Sequence, residues 1–173
     1  MTESSTDLTT HTGFKFHVRP VQPEDEAALG RFFEQVTPED LRFRFLSSQK
    51  RVGHDQLLAM TRVDHRRTES FLAIAGNGGP IIASAMLACD ENLDVGEVAI
   101  SVSADHRNMG LGWELLGHIT RYAEAKGVRL LQSLESRSNH SAIQLEKEFG
   151  FTTQSYPDDP ALVMVQKILR PSL

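Results

Sequence analysis

The sequence predicts a mixed α/β fold, a single sheet whose centre carries a glycine turn, and three observations lead there. Residues 97–103 alternate Val98, Ile100 and Val102 against Glu97, Ala99, Ser101 and Ser103, the period of a strand with two unlike faces. Arg107-Asn108-Met109-Gly110-Leu111-Gly112 follows at once. Leu111, Leu115, Ile119, Tyr122 and Ala123 then recur at helical spacing, until Gly127 stops that helix behind Lys126.

Taken in order, residues 1–13 are rich in Ser and Thr without periodicity, which predicts a disordered tail ahead of a single domain over 14–173. Residues 14–19 read as a first strand. Pro23-Glu24-Asp25-Glu26 opens a helix, with Leu29, Phe32, Phe33 and Val36 on one face. Thr37-Pro38-Glu39-Asp40 is a second start signal, although Leu41-Arg42-Phe43-Arg44-Phe45 also alternates like a strand. A short helix is expected over 53–61. The apolar runs 69–75 and 81–89 flank Gly76-Asn77-Gly78-Gly79-Pro80, a hairpin signal. A polar turn over 90–94 leads to the strand at 97. Residues 128–134 form the strand after the long helix, Asn139 opens another helix, and 151–156 and 161–168 close the chain as strands around Pro157-Asp158-Asp159-Pro160. The order is β-α-α-α-β-β-β-α-β-α-β-β.

Composition narrows the function classes. The 173 residues suffice for one sizeable core, and 40% hydrophobic with 24% charged residues is ordinary for a globular protein. A net charge of −5 argues against a nucleic-acid partner, and Arg62, His65, Arg66 and Arg67 read as a solvated loop. Cys89 is the only cysteine and lies in an apolar run, as a small buried hydrophobe would. The histidines are scattered, so no metal site is expected. No apolar run approaches a membrane span and the first residues lack a signal core, so no membrane partner and a cytoplasmic location are expected.

A glycine turn between a strand and a helix N-terminus presents backbone N–H groups at the positive end of a helix dipole, an anion cradle suited to a pyrophosphate. Met109 through Gly112 supply the N–H groups, with Asn108 beside them, and Gly110 and Gly112 let the backbone approach closely. Arg107 either pairs with a phosphate or braces the turn, and His106 reads as a solvent-facing loop residue. The pattern is not the dinucleotide fingerprint G-x-G-x-x-G, because its glycines fall late, and no phosphate-binding lysine follows.

On these residues the chain resembles the GNAT superfamily of acyl-CoA-dependent N-acetyltransferases, whose signature is R/Q-x-x-G-x-G/A after a strand. Asn139-His140-Ser141-Ala142-Ile143-Gln144-Leu145-Glu146-Lys147-Glu148-Phe149-Gly150-Phe151 is similar to the second family landmark, N-x-x-A-x-x-L-(Y)-E-K-x-G-F. The strand Glu97-Val98-Ala99, with Arg19-Pro20 and the 38–45 and 60–64 stretches, looks like bacterial protein-lysine acetyltransferases.

The resemblance implies a mostly antiparallel sheet of about seven strands, splayed at its centre and flanked by helices. It implies acetyl-CoA as co-substrate, an amine acceptor, and main-chain groups of Ile100, Ser101 and Val102 offered to the pantetheine arm and the thioester carbonyl. Leu111 and Gly112 belong to the phosphate cradle, and Asn139 caps its helix and contacts the coenzyme. Glu97 is the candidate general base, since partial burial on a central strand would raise its pKa; an exposed residue at the strand entrance is the other reading. Many family members place a proton-donating Tyr where this chain has Glu146, which implies that Glu146 is displaced or that the thiolate leaves without a donor. Tyr122 lies on the apolar stripe of the long helix, and Tyr156 near a turn. The function expected is acetyl transfer to a protein lysine, with a small amine as second acceptor and a non-catalytic acyl-CoA-binding module as the competing class. The acidic loops, Asp90, Glu91 and Asp94, and Asp158 and Asp159, are either solvated turns or steering groups for a basic acceptor.

Overall fold

A computed structural model describes residues 5–76 and 78–170. Residues 1–4 of the expected tail and Asn77 of the expected hairpin lie outside them. The strands are β1 (Thr6–Thr9), β2 (Lys15–Pro20), β3 (Thr68–Ala75), β4 (Ile81–Cys89), β5 (Val95–Val102), β6 (Leu130–Ser136), β7 (Thr152–Ser155) and β8 (Leu162–Ile168). The helices are α1 (Glu26–Glu34), α2 (Pro38–Phe45), α3 (His54–Thr61), α4 (Leu111–Lys126) and α5 (His140–Glu148). The strands form one sheet in the order β1-β2-β3-β4-β5-β6-β8-β7, antiparallel throughout except between β5 and β6.

The sheet has eight strands rather than about seven, because β1 forms within the segment expected to be disordered. Its pairing runs from Thr6 opposite Val18 to Thr9 opposite Lys15. Leu8 is its only large apolar residue, so hydrophobic period gives no sign of it; ladder bonds to β2 and a closed turn hold it instead. In that turn Thr10 N–H donates to Phe14 O at 2.9 Å, and Phe14 N–H donates to Thr10 Oγ1 at 3.1 Å.

The 41–45 stretch, expected to be helical despite its alternation, is helical. Thr37 Oγ1 accepts from Asp40 N–H at 3.1 Å, satisfying a first-turn donor, and Leu41 is buried. Entry into α1 is held by a two-pronged clasp, Arg19 Nη1 and Nη2 to the Asp25 carboxylate at 2.8 and 2.7 Å. Gln22 N–H adds a third bond to Asp25 at 2.7 Å.

Alternate residues of β3 divide the core into two layers. Leu72 and Ile74 pack with Leu29, Phe32, Phe33, Leu41 and Leu57 of α1–α3, while Phe71 and Ala73 pack with Leu111, Leu115 and Ile119 of α4. Tyr122 belongs to the second layer, its ring 5.1 Å from that of Phe71. Burial first, with Glu69, Cys89 and Asp64 nearby, pushes its phenol up to about 12. Cys89 is buried, as expected.

The centre of the sheet is splayed. The parallel ladder of β5 and β6 runs only from Val95 opposite Leu130 to Glu97 opposite Gln132. Beyond it β5 stays with β4 as far as Val102, and β6 stays with β8 as far as Ser136. The two strands therefore part at Val98 and Ser133, and a cleft opens between them.

Candidate active site

The cleft holds about 400 Å³ and brings together residues far apart in sequence. One wall is β5, with Glu97, Ile100, Ser101 and Val102; the facing wall is β6 and α5, with Ser133, Glu135, Asn139 and Glu146. The end is closed by Arg107, Asn108, Gly110, Leu111 and Gly112 at the start of α4, and α2 supplies Asp40 and Arg44 along the rim. Every candidate residue lines this space except Met109, whose carbonyl instead accepts from Thr12 Oγ1 at 3.2 Å.

The glycine turn has the expected form. Asn108 and Gly110 take left-handed backbone angles, φ 62° and 92°, which reverse the chain into α4. The helix ladder begins with Glu114 N–H donating to Gly110 O at 3.2 Å, so the N–H groups of Leu111, Gly112 and Trp113 precede it. Arg107 Nε lies 3.4 Å from Asp40 Oδ2, tying the turn to α2. His106 is not a solvent-facing loop residue: it is half-buried, its Nδ1 is 2.7 Å from Ser103 Oγ, and its ring packs on Phe14.

Both glycines also make room for neighbouring elements of the protein itself. A Cβ on Gly112 would stand 3.2 Å from Leu145 Cδ1, so this glycine makes room for α5. A Cβ on Gly110 would meet the N-terminal hairpin. Asn139 caps α5 as expected, its Oδ1 accepting from Ala142 N–H at 3.4 Å.

The expected partial burial of Glu97 is not found. The residue is exposed, because its rung neighbours Ala88 and Gln132 are themselves exposed and half-buried. Its charge is felt by Arg44: burial pushes that guanidinium below its ordinary value, and Glu97 opposes the shift. Arg44 Nη2 also lies 3.7 Å from Met86 Sδ.

Two more carboxyls line the cleft, half-buried Glu135 and buried Glu146. Glu146 is 7% exposed and its Oε1 has no hydrogen-bond partner among the described residues; the same holds for Ser101 Oγ across the cleft. Such orphaned polar atoms suit a cleft that receives a ligand with polar groups of its own. Burial, and secondly the Glu135 charge, pushes Glu146 up to about 8. Burial pushes Glu135 up to about 7, opposed by Ser133, whose hydroxyl donates to Glu135 Oε1 at 2.9 Å. The same hydroxyl also favours ionised Glu146, but one hydrogen cannot serve two carboxylates fully. Sequence reasoning passed over Glu135 because it ended the strand at Leu134. Extending the alternation by two residues puts Glu135 on the face of Ser133.

Neither acidic loop lines the cleft. Asp90 Oδ1 accepts from Asp94 N–H at 2.7 Å, Asp94 pairs with Arg129 at 3.0 Å, and Asp159 Oδ1 accepts from Ala161 N–H at 2.9 Å. These aspartates hold their own turns together. Asp64 does likewise in the 62–67 loop, accepting from Arg66, Arg67 and Thr68 N–H at 2.9 Å each. Among the described residues no three His, Cys, Asp or Glu side chains are grouped to hold a metal, and no helix is long and apolar enough to cross a membrane.

Known proteins match this arrangement. The family model described as Acetyltransferase (GNAT) family matches residues 33–151. An acetyltransferase of Pseudomonas aeruginosa is 26% identical over 151 residues, 85% of this chain and 80% of that protein. Among solved structures, the GNAT domain of S. lividans PAT superposes with a TM-score of 0.89 at 23% identity, covering 97% of this chain and 98% of that one. The structure of yncA from Salmonella typhimurium with its cofactor acetyl-CoA superposes with a TM-score of 0.69 at 17% identity, over 91% and 96% of the two chains. With its glycine turn, splayed strands and capped α5 in one cleft, the chain belongs to the GNAT family and is an acetyl-CoA-dependent N-acetyltransferase.

Proposed function

We propose that this enzyme acetylates a primary amine, a protein lysine side chain before a small amine, by direct attack in a ternary complex with Glu97 as general base. The observation that carries this reading is the position of Glu97. It is exposed at the last rung before β5 and β6 part, on the wall of the cleft, where an amine presented by a bulky acceptor reaches it from solvent. The sequence resemblance to bacterial protein-lysine acetyltransferases supports the lysine.

In this mechanism the first-turn N–H groups of α4, with Asn108 and Arg107, hold the pyrophosphate of acetyl-CoA. Main-chain groups of Ile100, Ser101 and Val102, on the edge of β5 that has left β6, align the acyl arm. A main-chain N–H there stabilises the carbonyl oxygen as it gains charge. Asn139 closes the opposite lip. Glu97 removes the ammonium proton and delivers it to water.

Thiol release from acetyl-CoA, followed with a panel of small amines and lysine-bearing proteins, tests the reading. Glu97→Gln is expected to lower the maximal rate by about 10²–10⁴-fold near neutral pH, with acetyl-CoA affinity retained and the loss shrinking at alkaline pH. A rate within a few-fold of wild type, with chemistry limiting, removes Glu97 from the role; turnover of small amines alone replaces lysine as the acceptor.

A further inference from the structure

The proposed chemistry uses the β5 wall and the glycine turn, yet leaves the two carboxyls of the facing wall, half-buried Glu135 and buried Glu146, without a role. Each carboxyl disfavours ionisation of the other, so setting a half-buried one against a buried one is costly unless they stay partly protonated. Their support is sparse: Ser133 donates to Glu135, and Glu146 Oε1 is left bare although the residue is more than nine-tenths buried. Glu135 lies on β6 beyond its last rung with β5, and Glu146 on α5, both lining the cleft.

From this geometry, and resting on the assignment of the cleft to acetyl transfer, we propose that Glu135 and Glu146 form a proton-holding pair and that Glu146 protonates the departing sulfur of coenzyme A. Glu135 is a positioning residue that acts through Glu146, keeping its proton in place by charge. The acidity fits. Burial, and secondly the Glu135 charge, pushes Glu146 up to about 8, close to the ordinary thiol value of about 8.5, and an acid matched to its acceptor and to neutral pH transfers its proton best. The other charged or titratable side chains facing the cleft are Asp40, Arg44, Glu97, His106 and Arg107.

The step balances. The amine nitrogen bonds to the acetyl carbon, and the carbon–sulfur bond breaks with its electron pair on sulfur. The Glu146 O–H bond breaks as the S–H bond forms, leaving a carboxylate that regains a proton from water before the next turnover. Starting from the ammonium, two protons leave nitrogen by way of Glu97; one is offset by the proton given to sulfur, and one is released.

The first test needs no turnover. Carbon-13 NMR of the unliganded protein labelled at the glutamate carboxyls, assigned with Glu135→Gln and Glu146→Gln, should show two coupled titrations near pH 7 and 8. Midpoints in the ordinary carboxylate range for both overturn the pair. The second test is kinetic. Glu146→Gln should lower the rate with acetyl-CoA by about 10²-fold, the lower end for a positioned acid. It should cost only a few-fold with the selenoester analogue, whose selenolate leaves without a proton. Equal losses on both donors overturn the proposal, because a purely structural role does not distinguish sulfur from selenium. Glu135→Gln should move the alkaline limb of the pH profile to lower pH; an unmoved limb removes Glu135 from the role. If wild type turns over no amine, both this proposal and the functional reading fall, whereas full activity of Glu146→Gln removes this one alone.

Discussion

His11, at the tip of the β1–β2 turn, lies against Gly110: a Cβ built on that glycine would stand 2.8 Å from His11 Nδ1 and 3.3 Å from Thr10 Cβ. The N-terminal hairpin thus backs the glycine turn, and the small residue at 110 is required by the hairpin as well as by its left-handed backbone. Gly110→Ala is expected to destabilise the fold by about 1–2 kcal/mol through the dihedral alone, more with the collision. It should also weaken acetyl-CoA binding. Adding His11→Ala should recover the collision but not the dihedral cost. Denaturant unfolding and calorimetric titration on wild type and both variants check this.

Arg107 and Asp40 make a rim pair, and exposed pairs contribute at most about 1 kcal/mol. Asp40→Asn is therefore expected to leave stability nearly unchanged and acetyl-CoA affinity within about two-fold, since it frees the guanidinium rather than removing it. Arg107→Ala should weaken acetyl-CoA by about ten-fold, with a shallower salt dependence, if the same side chain meets a phosphate. Titration calorimetry at two salt concentrations separates the two, and equal effects would leave Arg107 as a brace only.

The carboxyl pair also predicts how stability varies with pH. Glu135 and Glu146 are raised in the folded chain, so it binds more protons than the unfolded chain between about pH 4.5 and 8. Their contribution is complete below that window and is lost as pH rises through about 7 to 8. Glu146→Gln should match wild type within error near pH 5 and exceed it by about 1–3 kcal/mol above pH 8, the cost of leaving a buried polar group unsatisfied. Unfolding free energies across pH 5–9 give the measurement.

The Arg19–Asp25 clasp has the opposite sign. Burial works against the charged form of Asp25, but the two bonds from Arg19 and the one from Gln22 N–H outweigh it and hold the carboxyl below its usual range. Its stabilisation is present above the ordinary carboxylate value and lost as pH falls through the lowered one. Asp25→Asn should destabilise by about 2–3 kcal/mol at pH 7, somewhat below a fully buried pair because Arg19 is a third exposed, and by much less under strongly acidic conditions. Denaturant melts at both pH values test it.

The sequence made most of the fold legible, because most elements from α1 to β8 combine a hydrophobic period with a stop or start signal; β7, Thr-Thr-Gln-Ser and exposed throughout, does not. The Thr37 cap resolved a stretch whose alternation pointed to a strand, and Gly127 ends α4 where the glycine stands. β1 escaped because a short edge strand is held by main-chain bonds, which leave no hydrophobic pattern behind. At the cleft, the glycine turn and Asn139 were readable as local motifs. Glu135 was not, since its significance comes from facing Glu146 on another element. The burial of Glu97 was misjudged for a related reason: alternation says which residues share a face, but not whether anything covers it.

Three rungs are all that join β5 to β6, while every other neighbouring pair around the centre has at least twice as many. In mechanical terms the sheet is two plates with a seam. One plate runs from β1 to β5 and the other is β6, β8 and β7; they are fastened by the shared apolar layer against α4 rather than by main-chain bonds. The coenzyme cleft occupies the unfastened length of that seam. Anything that fills it stiffens the joint between the plates, so the amides of 98–102 and 133–136 should gain the most protection from hydrogen exchange when acetyl-CoA is added.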